Sequence, residues 1–350
     1  MKYIGNKARL LGFITDSLKE SGVPKSGLFA DLFSGTTSVA EHFKKSGYQI
    51  VSNDFMEYSF VLQKAYIESN CEPRFDGLML HIDSAKNLTN VENVINFLNQ
   101  LNPIRGYCFD NYGSGGVENR MYFTGENAGM IDAIREQIEE WKKYSLINAG
   151  EFYYLLALVI EAADHVANMS GTYGAYLKIW RSVALKKLHI KQRDIFDNNL
   201  DNRSFKEDSE VLIKELSGDI LYLDPPYNSR QYAPNFHVLE SIAVWDKQTL
   251  FGKSGLRNYD NQKSQFSIKA KATKSLFELI GLAQFEYIAL SYNNEGLIKH
   301  SELIEFLGSK GKLTIFSTDY RRFRTERNHE KRVYKDFGDR TTEYLFVLKK

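Results

Sequence analysis

A stretch from Gly218 to His237, GDILYLDPPYNSRQYAPNFH, holds the residue types best arranged for chemistry. An apolar run leads into Asp224, and Pro225 must end this strand because proline donates no hydrogen bond to a sheet. Pro225 and Pro226 restrict the backbone that follows. The carboxylate of Asp224 and the carbonyl of Pro225 then face one point beside the Tyr227 ring, which suits a planar amine. A strand that merely ends in a rigid turn beside a buried tyrosine is the alternative.

Two more carboxylates follow apolar runs near the N-terminus. Asp31 precedes a turn through Gly35 in DLFSGTTS, and Asp54 follows Asn53 about twenty positions beyond that turn. A carboxylate at this place can accept hydrogen bonds from both hydroxyls of a ribose. The turn has Thr37 in place of a second glycine and lacks the lysine of a triphosphate loop. It therefore favours a nucleoside without a pyrophosphate, although a plain strand-to-helix turn is equally consistent with this motif alone.

Short apolar runs alternate with helical patterns along the chain, which predicts an α/β fold with a parallel sheet covered by helices. Seven candidate strands are SGLFADLF, YQIVSND, KKLHIKQRD, GDILYLDPP, FEYIALSY, GKLTIFSTD and TTEYLFVLKK. Only a charged loop separates the last two, so the final strand is predicted to be antiparallel. Ligands of such sheets bind at the carboxyl ends of the strands. The three aspartates follow strands one, two and four and are expected to meet there.

Residues 58–181 differ in character from the rest. VENVINFLNQL, MIDAIREQIEEW and GEFYYLLALVIEAADHVA have apolar residues at helical spacing, with glycine-rich loops between them. We predict a mostly helical insertion at 58–181 within a catalytic domain made of residues 1–57 and 182–350. The hydrophobic segment FYYLLALVIEAADHVA is interrupted by charged residues, which favours a buried helix over a membrane span.

Charge is unevenly distributed, although the net charge is only +1. Three segments, 178–193, 253–274 and 320–335, concentrate lysine and arginine among aromatic residues, as a phosphate backbone would require. A solvated basic surface is the alternative for each segment taken singly. Only Cys71 and Cys108 are present, without zinc spacing, and no signal peptide is evident. The sequence therefore predicts a protein of the reducing cytosol.

The motifs YIGNK, DLFSGTTS, SND and LDPPYNSRQY occur in the order found in the D12 class of N6-adenine DNA methyltransferases, the type found in restriction-modification systems. The chain resembles this family over essentially its whole length. ENRMYFT, IDAIREQIEEW and GTYGAYLKIW also look like the variable middle region of these enzymes. Thr37 departs from the pattern, since many relatives carry glycine there. The resemblance implies a Rossmann-like methyltransferase fold with a mixed seven-stranded sheet.

The resemblance also implies a cofactor, S-adenosylmethionine, and no metal. Asp54 would hold its ribose, Asp194 would lie near its adenine, and Lys7 would lie close to its methionine end. The remaining residues implied at the cofactor are Tyr3, Asp31, Phe33, Ser34, Gly35 and Asp224. Acceptance of the two adenine N–H hydrogens by Asp224 and the Pro225 carbonyl would free the lone pair of a poor nucleophile.

Because the adenine amine is inaccessible inside a duplex, the base would have to swing out and stack on Tyr227. Double-stranded DNA is thus the implied partner, and a restriction endonuclease acting on the same site is a possible second one. The insertion is the candidate for target recognition. Candidate DNA-contacting residues are Arg120, Arg135, Arg181, Arg230, Tyr232, Arg321, Arg322 and Arg324.

Three alternatives stay open at this point. The same fold could methylate RNA, protein or the cytosine amine, although cytosine-amine enzymes tend to carry serine in place of Asp224. A DNA-binding paralogue without turnover is a second possibility, against which intact Asp54, Asp224 and Tyr227 argue. A nicotinamide-dependent dehydrogenase is disfavoured by the incomplete glycine motif and leaves Asp-Pro-Pro-Tyr unexplained.

Overall fold

The computed structural model describes residues 5–321 and 340–350. The chain divides into two compact units. The sheet unit comprises the described residues of Ile4–Phe55, Asn198–Tyr232 and Asn261–Lys350. The helical unit comprises Met56–Asp197 and Ala233–Asp260.

The sheet unit is built on one seven-stranded sheet. Its strands are β1 (Leu28–Asp31), β2 (Gln49–Asn53), β3 (Arg203–Phe205), β4 (Ser217–Leu223), β5 (Gln284–Asn293), β6 (Lys312–Arg321) and β7 (Arg340–Lys349). The strand order is β3-β2-β1-β4-β5-β7-β6. The first five strands pair in parallel, whereas β7 lies antiparallel between β5 and β6. The prediction of a mixed seven-stranded sheet with an antiparallel last strand is confirmed.

The helices are distributed over both units. In chain order they are α1 (Leu11–Glu20), α2 (Ser38–Lys45), α3 (Glu57–Gln63), α4 (Asn90–Asn99), α5 (Tyr107–Tyr112), α6 (Gly125–Lys143), α7 (Ala149–Val166), α8 (Ser209–Leu212), α9 (Tyr232–Val244), α10 (Ala272–Leu282) and α11 (His300–Gly308). A π-helical turn, Lys64–Glu68, continues α3, and two 3₁₀ turns lie at Asp260–Gln262 and Gln265–Ser267. No described helix is both long and apolar enough to cross a membrane.

The sheet is covered on both faces, as its nearly continuous apolar strands require. On one face, Phe29 of β1 stacks on Phe43 of α2, with ring centroids 4.1 Å apart. On the other, Ala30, Leu221 and Ile288 join a buried cluster that takes in α10 and α11. The carboxyl ends of β1 and β4 lie side by side, since Asp31 is in register with Tyr222. The strand order reverses here, and this is where doubly wound sheets bind ligands.

The predicted third strand, KKLHIKQRD, was wrong as a strand. Its segment belongs to the helical unit, and the third strand of the sheet is instead the short β3. The N–H groups of Leu188 and Ile190 donate to the side-chain amide oxygens of Asn127 and Asn99, at 2.8 Å each. Two helical side chains therefore supply the acceptors that a neighbouring strand would have provided, and the apolar alternation of the segment is satisfied without a sheet.

The helical unit owes its helix starts to side-chain caps. Asn148 and Glu151 form a reciprocal capping box at α7, and the Thr124 hydroxyl caps α6. Glu240 of α9 is buried and accepts the first N–H groups of α3, those of Glu57 and Tyr58, at 3.1 Å each. This unit thus takes in Ala233–Asp260, a segment that the sequence analysis placed with the catalytic part. The limits of the functional domains stay a prediction.

Candidate active site

The segment after β4 forms the centre of the site in the sheet unit. The Asp224 side chain is only 14% exposed, and its Oδ1 atom lies 3.3 Å from Lys7 Nζ. Apart from Lys7, this oxygen has no hydrogen-bond partner among the described residues. The Tyr227 carbonyl accepts the Leu297 N–H at 2.8 Å, and its ring meets the edge of Tyr292 at 5.9 Å. A fixed loop therefore holds a buried carboxylate acceptor beside an aromatic ring.

Lys7 lies between two carboxylates. Its Nζ atom donates to Glu343 Oε2 at 3.2 Å as well as facing Asp224, and both Lys7 and Glu343 are about 95% buried (4% and 5% exposed). Burial opposes the ammonium charge, but Asp224, Tyr227 and Glu343 outweigh it and raise the pKa of Lys7 well above its usual value. The lysine is therefore a permanent cation in this centre.

Asp224 is mostly ionised at neutral pH, although its pKa lies well above that of an exposed aspartate. Burial raises the pKa of Asp224 to about 6, the charge of Lys7 opposes this shift, and the charge of Glu343 adds to it. The carboxylate should thus lose its acceptor capacity as the pH falls through about 6. A carboxylate with a raised pKa is a better hydrogen-bond acceptor than an ordinary exposed aspartate.

Asp31, at the end of β1, is the most deeply buried carboxylate of the site, with 1% exposure. Its Oδ1 atom accepts the Phe33 N–H at 3.3 Å, and its carbonyl accepts the Ser34 hydroxyl at 3.0 Å. Burial raises the pKa of Asp31 to about 8; the Phe33 N–H opposes the shift, and the charges of Asp224 and Asp54 add to it. Asp31 is thus held close to protonation in the absence of a compensating cation.

Replacement of Asp31 by asparagine should stabilise the protein against urea by a few kcal/mol at about pH 8. The folded-state pKa is raised, so the stability contributed by Asp31 is present below pH 3.8 and lost as the pH rises through about 8. Asparagine keeps an acceptor for the Phe33 N–H. Urea unfolding at about pH 4 and about pH 8 should show a gap between variant and wild type that widens with pH; a constant gap would contradict this account.

The turn between β1 and α2 is tied to the end of β2. The Gly35 N–H donates to Asp54 Oδ2 at 2.8 Å, and the Ser34 N–H donates to the Asn53 carbonyl at 3.0 Å. Gly35 has φ +50° and Thr37 has φ +64°. Glycine is the residue that adopts this left-handed backbone most readily. Thr37 occupies it with support from its own side chain, whose hydroxyl donates to Glu41 Oε1 at 2.8 Å.

The N-terminal motif packs against this turn. The Asn6 side chain contacts the Thr36 and Ser38 hydroxyls at 3.3 and 3.4 Å. Gly5 has φ +81°, and a Cβ atom there would lie 3.2 Å from the Tyr232 hydroxyl. The Gly-x-Lys spacing thus lets the backbone pass close to Tyr232 while Asn6 holds the turn and Lys7 enters the site.

Several further predicted site residues can be placed in the sheet unit. Tyr232 is half-buried, and burial raises its pKa well above the usual value, with added effects of Tyr227 and Asp224. Tyr232 therefore lies within the carboxylate site, whereas Arg230 is exposed. Phe33 is half-buried and meets the edge of Phe266 at 5.2 Å. Tyr3, Arg322, Arg324 and the Arg321 side chain lie outside the described residues.

The other predicted residues lie in the helical unit. Asp194 is exposed in the irregular segment that replaces the predicted strand. Arg120 is only 4% exposed, and its guanidinium donates to the carbonyls of Asn111, Gly252 and Lys253. Arg135 is fully buried and donates to the Ile242 carbonyl, while Arg181 is half-buried and donates to the Met169 carbonyl. These contacts hold both guanidinium groups within the helical unit, and the DNA-contacting roles of Arg120 and Arg135 stay a prediction.

Two residues of the site were missed from the sequence, Glu343 and Asn6. Glu343 lies in TTEYLFVL, where a single carboxylate in an otherwise apolar strand was a usable signal. Asn6 lies inside YIGNK, but only the glycine and lysine of this motif carried the resemblance.

Negative charge predominates in the site. Lys7 faces Asp224 and Glu343, and Asp31 interacts electrostatically with Asp224 and Asp54. No group of His, Cys, Asp and Glu in residues 5–321 and 340–350 is arranged to hold a metal ion. The excess of buried carboxylate suits an organic cation, which would keep Asp31 ionised.

Comparison with known proteins relates this arrangement to a family. The family model of D12 class N6 adenine-specific DNA methyltransferases matches residues 3–306. Type II methyltransferase M.FokI from Planomicrobium okeanokoites is 40% identical over 360 residues, covering 100% of this chain and 53% of the relative. Type II methyltransferase M.NlaIII from Neisseria lactamica is 39% identical over 353 residues, covering 100% of this chain and 99% of the relative.

Modification methylase StsI from Streptococcus sanguinis is 37% identical over 338 residues, covering 95% of this chain and 50% of the relative. The chain thus spans about half the length of M.FokI and StsI, and nearly all of M.NlaIII. The residues matched by the family model include Lys7, Asp31, Asp54 and the whole Asp-Pro-Pro-Tyr segment. The chain belongs to the D12 class of N6 adenine-specific DNA methyltransferases.

Proposed function

We propose that the protein transfers a methyl group from S-adenosylmethionine to N6 of an adenine swung out of duplex DNA, as the modification enzyme of a restriction-modification system. The observation that carries this proposal is the buried Oδ1 atom of Asp224, three residues before Tyr227, which has Lys7 as its only partner among the described residues. An acceptor left open in this way suits an incoming N–H donor. A cognate endonuclease and a bacterial cytosolic location follow from the proposed role.

Asp224 would accept one amine hydrogen of the adenine and the Pro225 carbonyl the other. Withdrawal of both hydrogens from the ring plane gives the nitrogen an available lone pair. A bound S-adenosylmethionine would supply the methyl group to this nitrogen, with the carbon–sulfur electron pair left on sulfur, and Asp224 would take up the surplus amine proton. The half-buried Tyr227 ring, fixed against Tyr292, would stack on the base. Positioning of the two reactants in line is then the main work of the protein.

S-Adenosylmethionine supplies a methyl group that is already activated by a sulfonium. Asp54 is the residue proposed to accept the ribose hydroxyls, with the Phe33–Gly35 turn beside it. Asp31 and Lys7 would meet the charged methionine end, and Asp224 would face the transferred methyl. The like charges of Asp31, Asp54 and Asp224 in one site support a cationic ligand here. The roles of Tyr3 and Asp194 remain proposals from the family resemblance.

Replacement of Asp54 by alanine should weaken S-adenosylmethionine binding about 10- to 100-fold, the usual effect of losing hydrogen bonds to a charged group. Calorimetric titration measures this without turnover. Asp54→Asn is the matched control, because it keeps an acceptor for the Gly35 N–H and thus preserves the turn. Full affinity in Asp54→Ala would remove this residue from the cofactor site.

The helical unit is proposed to contain the target-recognition residues, in and around 58–181. Arg230, which is exposed next to the motif, is the candidate for the phosphates of the extruded nucleotide. Tyr232 lies among the site carboxylates and is better suited to the wall of the pocket than to the duplex. Arg181, Arg321, Arg322 and Arg324 remain candidates for backbone contacts.

The deciding experiment is methyl transfer from tritiated S-adenosylmethionine to unmethylated duplex DNA, followed by nucleoside analysis. Label in N6-methyldeoxyadenosine supports the proposal, and sequencing of the modified sites gives the specificity. Label in RNA, protein or N4-methyldeoxycytidine overturns the proposed acceptor. Bound cofactor without transfer to any acceptor would favour a binding protein.

A further inference from the structure

We propose that Glu343 is a positioning residue for methyl transfer: by sharing the Lys7 ammonium with Asp224, it keeps Asp224 an open and strong acceptor for the target amine. This inference rests on the proposed function. Glu343 lies beyond residue 306, where the family match ends, and the Asp-Pro-Pro-Tyr and Gly-x-Lys motifs do not include it.

Geometry is the first support. Lys7 Nζ lies 3.2 Å from Glu343 Oε2 and 3.3 Å from Asp224 Oδ1, so one ammonium bridges two buried carboxylates. A lysine paired with Asp224 alone could turn a second of its three N–H donors towards that carboxylate. Glu343 takes one of these donors. The Asp224 carboxylate thereby retains acceptor capacity for an incoming N–H group.

The second support is the rigidity of the place that Glu343 occupies. It lies in β7, paired with Asn293 of β5 on one side and Thr318 of β6 on the other. Just before it, the Thr341 hydroxyl donates to the Asn294 side chain at 2.7 Å. A carboxylate fixed by two neighbouring strands can hold the ammonium at the end of the long and otherwise mobile Lys7 side chain.

The third support is the charge around Asp224. Besides Lys7 and Glu343, the titratable groups that interact with Asp224 across the site are Tyr222, Asp31 and Tyr232, while Tyr227 interacts with Lys7 and Tyr232. Burial is the main cause of its raised pKa, and Glu343 contributes in the same direction. Removal of the Glu343 charge should therefore lower the pKa of Asp224 and leave the Lys7 cation neutralised by Asp224 alone.

Glu343→Gln should move the acidic limb of the single-turnover pH–rate profile down by about one pH unit, because a nearby like charge is removed. The plateau rate should fall roughly three- to tenfold, because a weaker base accepts the amine hydrogen less well. A purely structural role for Glu343 would slow the reaction without this downward shift. Glu343→Asp keeps the charge and is expected to hold the limb near its wild-type position.

Glu286→Gln is the matched control, since Glu286 pairs with Lys349 on the same sheet at 3.3 Å but both side chains are about half exposed. It should leave the rate and the profile unchanged. A limb that stays in place or moves upward in Glu343→Gln would overturn the inference, as would the same shift in the control. Absence of transfer by the wild-type protein would instead count against the proposed function.

A stability measurement, which needs no methyl transfer, tests the role of Glu343 independently of the proposed function. Asp224 has a raised folded-state pKa, so the protein loses stability relative to Asp224→Asn as the pH rises from about 4 to about 7. In the Glu343→Gln background this loss should be smaller, because the pKa of Asp224 is lower there. Urea unfolding of the wild type, Asp224→Asn, Glu343→Gln and the double variant at both pH values tests this. A loss of stability in the Glu343→Gln background that equals or exceeds the loss in the wild-type background would overturn the role of Glu343.

Discussion

Asp224→Ala is expected to lower the rate of methyl transfer about a thousandfold, the usual scale for removal of one essential polar group from an active site. The substitution removes the acceptor of the target amine and leaves Lys7 paired with Glu343, whose 3.2 Å contact does not involve Asp224. The buried ammonium therefore keeps a counter-charge, and the fold should survive. DNA binding should be largely unchanged, because the duplex contacts lie elsewhere in the proposed function.

Single-turnover transfer with saturating cofactor and DNA measures this effect, and a mobility-shift assay measures DNA binding. Asp219→Asn is a suitable control, because Asp219 belongs to the same strand but accepts the Leu28 N–H at 2.7 Å at its opposite end. It should transfer methyl groups at the wild-type rate. Near-normal activity of Asp224→Ala would show that the amine is activated by another group.

Lys7→Met is expected to destabilise the protein by about 3–5 kcal/mol, since it leaves two buried carboxylates without their cation. Methionine has a similar length and fills the same space. Burial already raises the pKa of Asp224, and loss of the opposing Lys7 charge raises it further. The stability that Asp224 contributes in this variant is therefore present at low pH and lost as the pH rises. The defect should accordingly be largest at neutral pH and become smaller in acid.

The double variant Lys7→Met/Glu343→Gln should regain much of this stability but not the activity, because Asp224 remains without a cation. Urea unfolding at about pH 5 and about pH 8 gives the stabilities, and transfer assays give the rates. If Lys7→Met were as stable as the wild type at both pH values, solvent and not Lys7 would compensate the charges of Asp224 and Glu343.

Sequence patterns were most informative where apolar strands end in polar residues. β1, β2 and β4 and the aspartates that follow them could be predicted because a buried parallel strand has a continuous apolar signature. β3 could not be predicted, since Arg203–Phe205 is short and has no such signature. The segment around Leu188 and Ile190 has the alternation of apolar and polar residues that is typical of a strand. Asparagine side chains of two helices supply its hydrogen-bond acceptors instead of a neighbouring strand.

The charged residues were harder to assign. Arg120 and an exposed arginine look the same in the sequence, and only the carbonyls gathered around the guanidinium reveal the buried one. Lys7 could be assigned to the site from its motif, but its second partner could not. Pairing of Lys7 with Glu343 depends on strand order, and the placement of β7 between β5 and β6 is not encoded in any local pattern.

The Lys7–Glu343 contact joins residues that are 336 positions apart. Loop-closure entropy delays contacts of such long range until the intervening structure is in place. A nascent chain can form β1, β2 and β4 early, but the ionic centre is completed only when β7 inserts between its neighbours. Among the strands of this sheet, β7 comes last in chain order, so a chain in which β7 has not yet paired lacks the Glu343 carboxylate beside Lys7.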